Sequence, residues 1–187
     1  MSMSWVVAPT RLPLVLRRCH GCASERFRAN GKFRVNAHHK LLDAWLLALC
    51  VRCGETTRLT VLERVNVRSV RPELLNLLYG NDLGLTAELL QDPVVQHRNH
   101  IALDWDDAWR LDTGGTPQLE SEQPQNEAID VSVRFGARIP VRPARLIAEG
   151  FGLSRAEVMR MIAEGNLVSA VRLSGKLTSD FTFTLKR

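Results

Sequence analysis

Between residues 14 and 67 apolar and polar side chains follow one another with the short period of extended backbone, and the runs are punctuated by turn residues. "LVLRR" (14–18) predicts a strand. "ERFRANGKFRVN" (25–36) alternates on both sides of Asn30-Gly31, a dipeptide suited to a type I′ turn, and predicts a hairpin there. "KLLDAWLLAL" (40–49) is apolar on both faces, as a central, covered strand would be. "TTRLTVLERVNV" (56–67) alternates again and should pair with it.

The period then lengthens. "RPELLNLLYGNDLGLTAELLQDP" (71–93) predicts helix, with Pro72 in the first turn, an apolar face of Leu74, Leu75, Leu77 and Leu78, a break at Gly80-Asn81, and a second short turn capped by Thr86 and ended by Asp92-Pro93. "VVQHRNHIALDWDDAWRLD" (94–112) predicts a further helix with Trp105 and Trp109 four residues apart, read as core anchors. "DTGGTPQLESEQPQNE" (112–127) is poor in large apolar side chains and predicts a flexible linker. Beyond it "IDVSVRF" predicts a strand. Two short helices follow, the first opened by Pro143 and closed by Gly150, the second opened by a Ser154/Glu157 capping box and closed by Gly165, with Val158, Met161 and Ile162 as its buried stripe. A last hairpin is expected around Ser174-Gly175. The expected architecture is α+β, with an antiparallel ribbon domain at 1–68, a helical segment at 69–111, a linker at 112–127 and a small basic module at 128–187.

The cysteines decide what kind of ribbon the 1–68 domain is expected to be. All four lie in C-x2-C pairs, Cys19/Cys22 and Cys50/Cys53, with 27 residues between the pairs. Two intervening residues let a tight turn aim both sulfurs at one point, and four thiolates suit tetrahedral zinc. Gly21 and Gly54 are expected to supply the permissive backbone of the two turns. Iron on the same ligands, a redox dithiol, and a site that has lost its metal are the alternatives; a thioredoxin-type dithiol needs one pair in a βαβ frame. Four thiolates close the coordination sphere, so the metal is expected to be structural. The histidines add little: His20 lies inside the first knuckle, His38 and His39 in a loop, and His97/His100 in an H-x2-H spacing that is read as surface.

The net charge of +5 is unevenly spread. Residues 1–91 carry +6, residues 92–130 carry −7 and residues 131–187 carry +6. Basic blocks attract phosphate backbones, although the chain has 21 Arg against 4 Lys, a skew that coding bias also produces. The longest apolar run, Ala44 to Val51, is too short to span a bilayer. The opening residues lack a continuous apolar segment, so a cytoplasmic protein with reduced thiols is expected. No nucleophile elbow, glycine-rich phosphate loop or H-E-x-x-H motif occurs, and no enzymatic activity is expected.

"RPARLIAEGFGLSRAEVMRMIAEGNLV" resembles the helix–turn–helix of the S4-type RNA-binding domain over about residues 137–173, with the signature Ser-Arg at Ser154-Arg155 and the closing Ile-x-x-Gly at Ile162 and Gly165. The resemblance implies contacts to structured RNA from Arg142, Arg145, Arg155 and Arg160. The chain has Arg142-Pro143-Ala144 where that family opens with Arg-Leu-Asp, and Val168-Ser169-Ala170 where it has Val-x-Val-Asn-Gly. The knuckles, "LLDAWLLALCVRCGETTRLTVLERV" and the Leu-Ser-Arg segment together resemble an uncharacterised bacterial family, domain of unknown function ten sixty-two. Two functions compete on these grounds: a zinc-binding protein that binds structured RNA, and a protein–protein adaptor built on a structural zinc ribbon.

Overall fold

The computed structural model describes residues 2–114 and 128–186. The chain divides into two compact units, and they are not consecutive in sequence. One comprises Leu12–Asp106; the other joins Met1–Arg11 to Asp107–Arg187. This corrects the linear order of ribbon, helical segment and basic module: the first strand and the end of the expected helical segment belong with the C-terminal residues. The expected linker lies outside the described residues from 115 to 127; its first residue, Asp112, ends a strand.

The terminal unit is built on a five-stranded sheet. Its strands are β1 (Ser2–Pro9), β7 (Trp109–Asp112), β8 (Ile129–Phe135), β9 (Leu167–Ser169) and β10 (Phe181–Leu185), in the order β7-β1-β8-β10-β9. β1 and β8 are parallel, and the other pairs are antiparallel. A parallel pair needs a long connection; here that connection contains the whole of the other unit. Alternation in β8 and β10 buries Ile129, Val131, Val133, Phe181, Phe183 and Leu185. Two helices complete the unit, α4 (Pro143–Phe151) and α5 (Arg155–Ala163). Trp5 is wholly buried, with Phe151 at 4.9 Å and Phe183 at 5.5 Å between ring centroids. The capping box forms as expected, Ser154 accepting from the Glu157 amide and the Ser154 amide donating to Glu157 Oε2 at 2.8 Å. Gly150 does not close α4. It is buried inside the helix, and the left-handed cap is Gly152 at φ 65°. Of the expected stripe on α5, Val158 is fully buried, and Met161 and Ile162 are half-buried. The final hairpin pairs β9 with β10, and Leu177 bridges instead to Val141.

The other unit holds the second sheet, ordered β5-β4-β3-β2-β6, from β2 (Leu14–Leu16), β3 (Arg26–His38), β4 (Leu41–Cys50), β5 (Thr56–Asn66) and β6 (Ala102–Asp104). β4 is central, as its apolar pattern predicts. Its even-numbered residues Leu42, Ala44, Leu46, Ala48 and Cys50 are buried, whereas Trp45 and Leu47 on the opposite face are only half-buried. The expected hairpin at Asn30-Gly31 is a correction: β3 runs through it as one strand with a bulge between Ala29 and Phe33. Both halves find partners on the long β4, which satisfies more backbone groups than a turn would. Gly31 takes φ +74°, and the Phe33 amide donates to Asn81 Oδ1 at 2.7 Å.

Of three helices, α1 (Pro72–Tyr79), α2 (Leu83–Gln91) and α3 (Pro93–Asn99), the first two supply Leu78, Leu85 and Leu90 to the core that also takes in Val15, Phe27, Leu46 and Leu59. Asp82 caps α2 through the Leu85 amide at 2.7 Å; Thr86, expected as the cap, lies buried inside the helix with its hydroxyl donating to the Asp82 carbonyl. The helix expected over Trp105 and Trp109 is absent. α3 stops at Asn99, and the two tryptophans fall just after β6 and at the start of β7, separated by a turn in which Asp107 takes φ 60°.

Candidate metal centre

The first knuckle is the turn between β2 and β3, the second the turn between β4 and β5, so each C-x2-C pair sits between paired or neighbouring antiparallel strands. The two turns share one backbone pattern. Ala23 N–H donates to the Cys19 carbonyl at 3.2 Å and Gly54 N–H to the Cys50 carbonyl at 3.0 Å. Cys19 N–H reaches the Ser24 carbonyl at 2.7 Å and Cys50 N–H the Glu55 carbonyl at 2.8 Å. The fifth residue of each knuckle, Ala23 and Gly54, takes a left-handed conformation at φ 58° and 74°. Gly54 therefore does what the sequence predicts, and Gly21 does not: the strained position in the first turn is held by alanine.

These turns bring all four sulfurs within 4.8 Å of one another. Cys22 Sγ lies 3.5 Å from Cys50 Sγ and Cys19 Sγ 3.7 Å from Cys53 Sγ. Both separations far exceed a disulfide bond. They match the edge of a tetrahedron with metal–sulfur bonds near ~2.3 Å, which is roughly 3.8 Å. Each close pair takes one sulfur from each knuckle, so a metal here would tie the two turns together. Cys19 and Cys50 are buried, Cys22 is half-buried and Cys53 exposed. The donors are soft, four in number and convergent, and they fit a closed thiolate sphere.

The thiols are electrostatically unequal. Burial pushes Cys19 up to about 12, against the pull of the Cys22 and Gly21 amides. Cys50 is lowered to about 6, first by the Cys53 backbone amide, which outweighs burial. Cys53 receives the Glu55 amide, which pulls it down, yet its contact with Cys22 and its burial leave it raised. A dication arriving at this cluster would have to displace the remaining protons. Glu55 closes the site from outside, its Oε2 accepting from Gly21 N–H at 2.9 Å and from Cys19 Sγ at 3.2 Å. Nothing in the cysteine spacing flags Glu55; its position two residues after the last cysteine is the one available hint.

The histidines do not join the cluster. Among the described residues the four cysteines are the one group of three or more ligating side chains, and the His97 and His100 rings stand 6.3 Å apart between centroids. The four arginines implied by the S4 resemblance all lie exposed in the terminal unit. Arg142 is the N-cap residue of α4 and Arg145 sits in its first turn, with its guanidinium 5.9 Å from the Trp109 ring centroid. Arg155 opens α5, and Arg160 lies beside Glu157 in its last turn.

Fold and site together define an α+β protein with a four-cysteine cluster able to hold a metal ion. The chain belongs to the family described as Protein of unknown function (DUF1062), whose profile matches residues 35–173. That span contains Cys50, Cys53 and both C-terminal helices, and leaves Cys19, Cys22 and β10 outside it. No curated protein and no solved structure matches the chain. No helix among the described residues is long and apolar enough to cross a membrane.

Proposed function

We propose that the cluster holds structural Zn2+ on Cys19, Cys22, Cys50 and Cys53, and that the protein is a non-enzymatic, cytoplasmic RNA-binding protein. Zinc is the reading that four convergent thiolates with no open position favour. The RNA reading rests on one observation: the order α4, turn, α5, β9, with a formed Ser154/Glu157 capping box, leaves Arg142, Arg145, Arg155 and Arg160 exposed. The sequence resemblance to the S4-type domain is what gives this arrangement its RNA reading. Guanidinium contacts to phosphates are charge-assisted and often bidentate, and helical RNA would be read by shape. Filter binding of a structured RNA hairpin across a salt series tests it. Affinity should fall steeply with salt and fall again with Arg155→Glu; affinity indifferent to both would remove the reading.

The adaptor reading is supported by a different observation. Leu77, Tyr79, Leu83 and Val94 are exposed on α1–α3, Tyr79 by 63 % and Leu83 by 65 %. A helical layer of this kind serves protein contacts when scattered apolar side chains form one patch. Co-purification of a stoichiometric protein partner that Leu83→Glu abolishes would favour it.

A further inference from the structure

The outer face of the second sheet is basic and aromatic, and neither the metal centre nor the C-terminal arginines use it. Cross-strand register places its residues. On β4 the odd-numbered side chains face outward, Trp45 and Leu47 half-buried and Leu49 exposed by 37 %. Arg34 of β3 lies directly opposite Trp45, and Arg28 opposite Leu49. On the other side Arg58 of β5 pairs with Leu47, and its guanidinium stands over the Trp45 ring, 5.6 Å from the centroid. All three arginines are exposed.

Of the carboxylates on this face one is neutralised by an ion pair, and the other is held by a backbone amide and keeps its charge. Asp104 pairs with Arg26 at 3.2 Å, and Asp43 accepts from the Arg64 amide at 2.7 Å. Arg28, Arg34 and Arg58 make no ion pair among the described residues. The face thus carries three guanidinium groups outside any ion pair, against the one carboxylate of Asp43, around a half-exposed indole with aliphatic side chains beside it.

We infer that this sheet face binds single-stranded nucleic acid, with a base stacked on Trp45 and the phosphates held by Arg28, Arg34 and Arg58. The chemistry fits each part of the ligand. An aromatic ring offers a sequence-tolerant platform to any base, and a positively charged surface tracks the backbone. Guanidinium planes also stack on bases. Strand pairing places Arg34 and Arg58 on opposite sides of Trp45, so phosphates flanking a stacked base meet a cation on either side. Arg58 covers the ring in the free protein; it is exposed and would move to a phosphate as the base takes its place. An acidic peptide would satisfy the arginines but would leave the indole without a function. This goes beyond the reading above: it concerns the other unit of the chain and is independent of the helical pair.

Fluorescence anisotropy of a labelled short oligouridylate tests it, using full-length, metal-loaded protein. Trp45→Ala should weaken binding roughly 5-fold to 150-fold, the range for loss of one stacked base, and Trp45→Phe should restore most of it. Arg34→Glu with Arg58→Glu, both at exposed positions, should weaken binding at least tenfold on the order of the phosphate contacts removed and flatten the salt dependence. Arg155→Glu should leave oligouridylate binding unchanged. Unchanged affinity in both Trp45→Ala and the double charge reversal overturns the inference. So does loss of binding on Arg155→Glu alone, which would return nucleic-acid binding to the helical pair. A polyglutamate peptide that competes as well as the oligonucleotide would reassign the face to acidic proteins. Far-UV circular dichroism and metal content separate loss of binding from loss of fold, and the surface arginine pair decides the matter if Trp45→Ala misfolds.

Discussion

The sulfur of Cys22 lies 3.5 Å from that of Cys50, across 28 positions of sequence and from the opposite knuckle. The Cys19–Cys53 pair repeats the arrangement at 3.7 Å. Neither knuckle therefore owns its half of the site. A single ligand lost from either turn leaves three sulfurs and unties the two strand pairs at one end of the sheet.

The first prediction follows from that tie. Cys19→Ser, at a buried position, and chelation of the wild-type protein should produce the same state. Each should lower Tm by roughly 10 °C or more, because metal binding is coupled to folding of its site. The strand ends that lead into the knuckles should lose hydrogen-exchange protection, while the core around Leu46, Leu59 and Leu90 retains it. Chelator should have no further effect on the mutant. A mutant with unchanged Tm and exchange would remove the structural role of the cluster.

A second prediction concerns Gly150 and Trp5. A Cβ built on Gly150 would fall 2.6 Å from Cζ3 and 2.7 Å from Cζ2 of the indole. Glycine inside a helix ordinarily costs stability, and alanine there would usually gain about 0.5–1 kcal/mol. Here the neighbouring ring is fully buried between Phe151 and Phe183 and has no room to retreat. Gly150→Ala should therefore destabilise by about 1–3 kcal/mol, the range of core overpacking. Urea denaturation would register it as a lower midpoint.

A third prediction is a pH dependence. Ser154, through its side chain and then its backbone amide, holds the Glu157 carboxyl below its ordinary value of 4.5. A carboxylate depressed in the folded state stabilises the fold above its unfolded pKa. That contribution is lost as pH falls through the folded value. Glu157→Gln keeps the capping geometry but cannot titrate. Urea midpoints measured from neutral pH downward should converge for the two proteins below about pH 4.5, with the wild type ahead above it. Parallel curves would show that the capping box carries no charge component.

Much of this was legible in the residues because it is local. Two C-x2-C pairs converge by turn geometry, a Ser154-x-x-Glu157 box signals a helix start, and the alternation of β8 and β4 marks strands whatever they pair with. The larger misread features depend on partners far away in sequence. Asn30-Gly31 favours a turn by itself, yet β4 is long enough to pair with residues on both sides, and Asn81 accepts the amide of Phe33. Trp105 and Trp109 fit one helical face as well as two strands split by a turn, and pairing of β6 with β2 and of β7 with β1 decides for strands. The parallel register of β1 with β8 leaves no local trace at all. At the cysteine cluster the four thiols were readable and the strain was not: Ala23 carries the left-handed conformation that the sequence assigns to a glycine.

The last prediction turns on Asn99, a buried polar side chain at the end of α3. Its Oδ1 accepts from the Thr60 amide at 2.6 Å, and its Nδ2 donates to the Thr60 carbonyl at 2.9 Å and to the Val95 carbonyl at 2.8 Å. Thr60 lies on β5, the edge strand of the sheet. The amide of Asn99 thus pairs with that strand's backbone as a neighbouring strand would, and it fixes the helical layer to the sheet. Exposed edges invite pairing with other chains, so this contact also protects the edge. Asn99→Ala would leave the Thr60 amide and carbonyl unpaired in a half-buried setting, at about 1–3 kcal/mol. Asn99→Asp keeps the acceptor for the Thr60 amide but turns oxygen toward two carbonyls, and should cost at least as much. Hydrogen exchange at Thr60 should accelerate in both variants, with light scattering rising at high protein concentration as the edge opens. Stability and Thr60 exchange unchanged in Asn99→Ala would show that α3 is held by its apolar contacts alone.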